Sequence, residues 1–340
     1  MRAAVLERYG APLRIEDRPD PVARTGEVLV KVRASGICRS DLRVIDGAFP
    51  DIELPRVLGH EIAGFADGIG EVLVYGSWGC GTCSWCLRDE ESLCPNASEP
   101  GWTRDGGHAE YVVVPSTRFL VPLRGLDPVR AAPLADAGLS AYRAVRRGIP
   151  WLVEPSTAVV IGAGALGQFA VQYLKMLTGA TVVVIDPSPV RRRRALELGA
   201  DQATALPRIA SGERRETAQA VFDFWGSDQT LRLGLGLVRR AGVLVQVGAD
   251  GGTSEPDPSH VEPPHARSGG RVYFGMGLVP REVSLTTSVW GSYRDLRRVL
   301  ELAQSGLLKW DVEAVPLAGA NEAMARLRRG QVRGRLVLTP

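Results

Sequence analysis

The chain has 340 residues, of which 45% are apolar and 23% charged, and its formal net charge is +3. That composition is ordinary for a globular protein and leaves room for about two domains. The charge is too small and too scattered to argue for nucleic acid or a membrane as partner. The N-terminal MRAAVLERYG carries no apolar signal core, and no stretch approaches the ~18 apolar residues of a membrane span, so a cytoplasmic protein is expected. Five cysteines in such a chain point to metal or catalysis before disulfides.

In chain order, residues 1 to about 136 read as β-rich. Val28, Val30 and Val32 alternate, Val72–Tyr75 and Tyr111–Val114 form further runs, and Gly and Pro recur between them. No long periodic helix is expected before Asp136. Within this half, Cys38 stands in GICRSD, and Gly59, His60 and Glu61 follow later. A thiolate and an imidazole are half of a catalytic zinc site, which needs three protein ligands and an open position. Core packing, or a Cys/His nucleophile pair, remains an alternative for these two residues alone.

Cys80, Cys83, Cys86 and Cys94 follow in GCGTCSWCLRDEESLC, with two, two and seven residues between successive cysteines. Four thiolates so close in sequence can close a tetrahedral zinc site with no position left for a substrate. An iron–sulfur cluster and plain reduced cysteines are the competing readings. The metal is expected to staple a lobe too polar to hold its own shape.

From Leu139 the pattern changes to alternating strands and helices. Its centre is TAVVIGAGALGQFAVQYLKMLTGATVVVID, Thr157 to Asp186. Thr157–Ile161 is a β-branched run, Gly162, Gly164 and Gly167 follow in GxGxxG spacing, and apolar residues including Leu166 then recur at helical spacing. A second run, Thr181–Ile185, ends on Asp186, nineteen residues after Gly167. Strand, glycine turn, helix, strand and acid together predict a dinucleotide site. The first glycine permits the turn, the second lets backbone approach a pyrophosphate, and the third allows close helix-to-strand packing. Asp186 would accept the adenosine ribose hydroxyls.

Three more strands are expected at Ala220–Phe224, Val243–Val247 and Glu282–Thr287, completing a parallel, doubly wound sheet. Between the last two lies a Pro-, Ser- and Gly-rich stretch, residues 251–270, read as a flexible insertion. Arg191–Arg194 read first as a solvated helix face. Helices at Asp295–Gln304 and Ala320–Arg329 and a strand at Arg335–Leu338 close the chain by returning to the first domain.

With GICRSD, GHE, the four-cysteine lobe, AAPLADAGLSAYRAV at 131–145, GAGALG with Asp186, and the tail VRGRLVL, the chain resembles the zinc-dependent medium-chain alcohol dehydrogenases along nearly its full length. It is most similar to their bacterial secondary-alcohol branch. The resemblance implies a GroES-like β-rich catalytic domain at 1–137 and 289–340, a Rossmann NAD-binding domain at 138–288, and a homodimer or homotetramer. It implies two zinc ions per chain: a catalytic one on Cys38, His60 and Asp136, and a structural one on Cys80, Cys83, Cys86 and Cys94. Glu61 would lie beside the catalytic metal as an alternative ligand, Asp41 would orient His60, and Ser40 would shuttle the substrate proton. Arg39, Arg191 and Arg335 would meet the cofactor, and Trp290 and Met276 the substrate pocket or an interface.

The implied reaction is interconversion of a secondary alcohol with a ketone, or of an alcohol with an aldehyde, by hydride exchange with NAD. NADP is kept open by the arginines that begin at Arg191. A polyol or sugar dehydrogenase and a non-catalytic dinucleotide-binding relative are the rival readings. The chain departs from the family pattern in three places. Arg43 stands where relatives often complete a proton relay with histidine. The segment from Glu61 to Cys80 is short by about a strand and a turn, which would disturb the local barrel. The third departure is the insertion at 251–270.

Overall fold

The alternating run Val28–Gly36 is the hub of the first half of the chain. In the computed structural model, which describes residues 1–205, 216–248 and 280–340, it pairs antiparallel with Glu61–Ala66, Tyr111–Val114 and Arg335–Thr339. Val30 and Val32 turn inward while Lys31 and Arg33 turn to solvent, as period-two alternation requires. The sheet runs in the order Val312–Pro316, Arg335–Thr339, Val28–Gly36, Glu61–Ala66, Gly70–Val74, Leu120–Pro122. A smaller sheet joins Arg14–Asp17, Arg2–Leu6 and Arg56–Val57. These elements belong to one compact unit, Met1–Leu139 with Trp290–Pro340.

The C-terminal segment is tied into this unit by burial. Leu336 and Leu338 pack with Leu6, Ile37, Leu58 and Met324, and each large aliphatic side chain so buried is worth about 1.5–3 kcal/mol. Two α-helices precede Asp136, and both are short: Arg39–Ile45 and Pro128–Ala131.

The shortened segment after Glu61 does not open the sheet. Glu61–Ala66 and Gly70–Val74 form a tight hairpin across Asp67, Gly68 and Ile69, with Ala66 opposite Gly70 and the Ile69 N–H on the Ala66 carbonyl. Val72, Leu73 and Val74 are fully buried, and their strand goes on to pair with Leu120–Pro122. The missing strand and turn have been bypassed by direct pairing of the strands that remain.

Among its described residues the second unit, Ser140–Val289, holds six parallel strands in the order Gln202–Thr204, Thr181–Ile185, Thr157–Ile161, Ala218–Asp223, Val238–Gln246, Ser284–Thr287. This is a doubly wound order whose direction reverses beside Thr157–Ile161, so ligands are expected beyond that strand's carboxyl end. Near-continuous Val and Ile runs in the central strands suit a parallel sheet covered on both faces. The edge strand Gln202–Thr204 has no apolar run and escaped the sequence reading for that reason. The 251–270 insertion and Met276 lie outside the described residues. Among the described residues no helix is long and apolar enough to cross a membrane.

Candidate active site

The glycine turn sits at the carboxyl end of Thr157–Ile161. Gly162 has φ +90°, a left-handed conformation that side chains avoid. A Cβ on Gly167 would lie 1.9 Å from the Gly162 carbonyl oxygen, so the third glycine is required by the chain's own packing. A Cβ on Gly164 would meet no described atom within 4 Å. The helix Ala165–Leu177 begins here, and the N–H groups of Ala165, Leu166 and Gly167 have no carbonyl a turn behind them within the helix.

Asp186 is 1% exposed and is held by two backbone donors: Ala163 N–H gives to Oδ2 and Ser188 N–H to Oδ1, each at 2.8 Å. One carboxylate thus joins the glycine turn to the tip of the next strand. Of the arginines that follow, Arg192 donates to the Asp186 and Pro187 carbonyls and Arg194 to Glu197. Arg191 gives its backbone N–H to the Ser188 cap.

In the first unit, three elements converge on a sulfur, a nitrogen and an oxygen. Cys38 lies at the start of the helix Arg39–Ile45, where Asp41 reaches back to accept the Cys38 N–H at 2.7 Å and closes the turn. His60 precedes the strand Glu61–Ala66, and Asp136 stands between a 3₁₀ turn and the helix Ala137–Gly148. All three are buried. Cys38 Sγ is 3.4 Å and His60 Nε2 3.6 Å from Asp136 Oδ2. Tetrahedral zinc with bonds of 2.0–2.3 Å has ligand–ligand edges of roughly 3.3–3.8 Å, so this donor set fits one shared ion. Ser40 Oγ lies 3.3 Å from His60 Nε2.

Charge supports the same fit. Burial alone would raise the Asp41 carboxyl, but the imidazoles of His60 and His108 outweigh it and hold Asp41 well below the usual carboxylate range. Burial alone would strip His60 of a proton, and the carboxylates of Asp41 and Asp136 reverse that pull. A potential that favours a proton on this ring equally favours a metal cation.

Arg335 differs from the expectation of a pyrophosphate contact. It is 6% exposed, and its guanidinium grips Glu61 through Nε, at 2.9 Å to Oε2, and through Nη2 to Oε1; Nη2 also donates to Asp136 Oδ2 at 3.2 Å. Glu61 takes a further N–H from Ala137 at 3.1 Å. Burial nevertheless pushes the Glu61 carboxyl up to about 7, against the pull of Arg335. Engaged in this way, Glu61 is not one of the donors gathered on the cation position.

In the lobe, Sγ of Cys86 lies 3.6 Å from that of Cys83 and 3.9 Å from that of Cys80, close to the roughly 3.8 Å edge of a tetrahedron with 2.3 Å zinc–sulfur bonds. All four sulfurs lie within 4.8 Å of one another. The Thr82 hydroxyl, with backbone N–H groups, lowers the Cys80 thiol to about 5, whereas burial pushes Cys86 up to about 12. A buried thiol that resists ionisation by itself becomes a ligand when a cation supplies the compensating charge. Cys86→Ser should therefore lower the zinc content by one ion per chain and forfeit much of the ~10 kcal/mol such a site can contribute. Metal analysis, with protease cleavage appearing between Cys80 and Cys94, checks this.

Arg39 opens the helix Arg39–Ile45 in the first unit. Trp290 has φ +44°, and its ring lies 6.0 Å from that of His60. Arg43 stacks over Phe49 with its guanidinium carbon 5.0 Å from the ring centroid. Trp102, absent from the sequence reading, lies 6.4 Å from His60 and edge-on to Phe49. His108 and Ser35 were also missed; both are fully buried and hydrogen-bonded to each other. No spacing rule points to these three, because a strand residue, Ser35, and a loop far from it in sequence bring them to the metal site.

One cation-ready Cys/His/Asp set, one four-cysteine set and a dinucleotide turn in a single chain define a metal- and dinucleotide-dependent oxidoreductase. Residues 24–125 match the family described as alcohol dehydrogenase GroES-like domain, and residues 165–305 match zinc-binding dehydrogenase. The chain is 36% identical to a D-arabinose 1-dehydrogenase (NADP(+)) of Saccharolobus solfataricus, covering 100% of this chain and 97% of the relative. It is 35% identical to an NAD-dependent alcohol dehydrogenase of Sulfolobus acidocaldarius, covering 99% of each. The crystal structure of the alcohol dehydrogenase of Aeropyrum pernix superposes with a TM-score of 0.87 at 31% identity, covering 100% of both chains. The chain belongs to the zinc-dependent medium-chain alcohol dehydrogenase family. Its fold is accordingly a GroES-like domain joined to a Rossmann domain.

Proposed function

We propose that this protein interconverts secondary alcohols and ketones by hydride transfer to and from NAD. The observation that carries the proposal is the buried Cys38–His60–Asp136 set, three donors at tetrahedral spacing, with Glu61 engaged by Arg335 rather than gathered as a fourth. A catalytic zinc needs that count, since the remaining position is the substrate's. A zinc ion so held supplies the Lewis acidity that lets an alcohol lose its proton near neutral pH, and NAD supplies the hydride acceptor.

The chain's own groups do the rest. Ser40, with its hydroxyl 3.3 Å from His60 Nε2, accepts the substrate proton and passes it outward. Arg43, stacked on Phe49, offers only donors and so cannot extend that relay. The indoles of Trp102 and Trp290 stand beside His60 and favour an alcohol with apolar carbon substituents. In the second unit, the Gly162–Gly167 turn receives the pyrophosphate with the N–H groups of Leu166 and Gly167, and Asp186 opposes a 2′-phosphate. Arg39 is assigned to the cofactor on the family resemblance alone. Cys80, Cys83, Cys86 and Cys94 hold the second zinc, and the assembly is a cytoplasmic homodimer or homotetramer.

A sugar or polyol dehydrogenase is the second reading. The 36% identity with a D-arabinose 1-dehydrogenase of Saccharolobus solfataricus favours it. The experiment is a panel of secondary alcohols, ketones and aldoses assayed with NAD and NADP on protein of measured zinc content. About two zinc per chain, alcohol-dependent NADH formation and its loss on chelation are expected. Full turnover in verified absence of zinc would defeat the donor assignment, a strong NADP preference would defeat the Asp186 argument, and aldoses outrunning alcohols would favour the second reading.

A further inference from the structure

Asp41 is 2% exposed, and its two carboxylate oxygens face two different imidazoles. Oδ1 lies 3.5 Å from His60 Nδ1, and Oδ2, which also holds the Cys38 N–H, lies 3.7 Å from His108 Nε2. Both ring nitrogens are buried, and neither has a hydrogen-bond partner at bonding distance. A buried donor left unpartnered costs about 1–3 kcal/mol, so two of them aimed at one carboxylate call for an explanation.

The far side of His108 is built with equal care. Its Nδ1 is 2.9 Å from Ser35 Oγ, and its backbone is pinned by His108 N–H on the Leu58 carbonyl and Ala4 N–H on its own carbonyl. The room for the ring comes from Gly59, at φ +97°: a Cβ there would lie 2.4 Å from His108 Nδ1 and 2.7 Å from Ser35 Oγ. A carboxylate only accepts, so the His108 nitrogen facing Asp41 must carry the hydrogen; in that tautomer Nδ1 accepts from the Ser35 hydroxyl. Ser35 thereby selects the tautomer that points a donor at Asp41.

We infer that His108, oriented by Ser35, is a positioning residue for the catalytic metal: it holds the Asp41 carboxylate from the side opposite His60 and so fixes the ring of His60 and the Cys38 turn together. Groups behind a metal ligand typically account for 10–100-fold in metal affinity, and His108 stands one step further out, so about tenfold is expected. The inference rests on the reading that Cys38, His60 and Asp136 hold zinc.

The test compares the full-length zinc-loaded protein with His108→Phe, which fills the space without a donor, and His108→Gln, whose amide reaches about as far as Nε2. Zinc retention at each site is titrated against a chelator, and the visible absorption of cobalt placed in the Cys38 site is recorded. His108→Phe should release the Cys38-site metal about tenfold more readily with an altered cobalt spectrum. The four-cysteine metal and NAD affinity should not change, and His108→Gln should recover most of the loss. Wild-type retention in His108→Phe, equal loss at both metal sites, or no recovery in His108→Gln overturns the inference. Should His108→Phe fail to fold, Ser35→Ala serves in its place: selective weakening of the Cys38 site supports the inference, and unchanged retention overturns it. A wild-type protein that binds only the four-cysteine zinc would instead defeat the underlying reading.

Discussion

Asp136→Ala should lower kcat/KM for alcohol oxidation by at least ~10³-fold, because Lewis-acid stabilisation is worth several kcal/mol and each 1.36 kcal/mol is a decade in rate. The loss follows from geometry rather than from charge alone. Asp136 Oδ2 is the atom that Cys38 Sγ, His60 Nε2 and Arg335 Nη2 all approach, at 3.4, 3.6 and 3.2 Å. Without it, two donors remain and the tetrahedron cannot close. Metal analysis should find the zinc count falling from two to one per chain, and NAD should still bind, since the glycine turn and Asp186 are held by their own backbone contacts. A variant that kept both metals and its rate would remove Asp136 from the donor set.

Arg335→Met should destabilise the first unit by about 3–5 kcal/mol, the usual cost of leaving a buried charge without its partner. Glu61 has no exposed surface, and Arg335 is its only cationic hydrogen-bond partner among the described residues. The double variant Glu61→Gln with Arg335→Met should recover more than half of that loss, because both ends of the ion pair are then neutral. Thermal and guanidinium unfolding of the zinc-loaded proteins measures both. Catalysis should also suffer in the single variant, since Asp136 loses the guanidinium that fixes its Oδ2. Equal stability of Arg335→Met and wild type would show that the buried pair contributes nothing to this fold.

The dinucleotide turn was readable because its physics is local. GxGxxG after a β-branched run, with an acid at the end of the next strand, specifies a turn, a helix start and an anion site within about thirty residues. The four-cysteine lobe is equally local, its sulfurs brought together by one loop. The edge strand Gln202–Thr204 was not readable, since it is polar and held only by pairing with Val183–Ile185. The shortened stretch after Glu61 suggested a disturbed barrel, and the outcome depended on register. With Ala66 opposite Gly70, the remaining strands pair directly and keep Val72, Leu73 and Val74 buried.

By itself, the sequence determined the two-part architecture, the dinucleotide turn and the thiol-rich lobe, because each rests on periodicity or on ligands a few residues apart. The family resemblance names His60 and Asp136 beside Cys38, but the grip of Arg335 on Glu61 and Asp136 and the Ser35–His108 pair behind Asp41 were decided only by the tertiary structure. Asp136 lies 98 residues from Cys38, Arg335 lies 274 from Glu61, and Ser35 reaches His108 across 73. Long-range pairings of this kind leave no period in the chain. They arise because buried carboxylates and imidazoles must find partners, and in a packed interior the fold, not sequence distance, determines which are in reach.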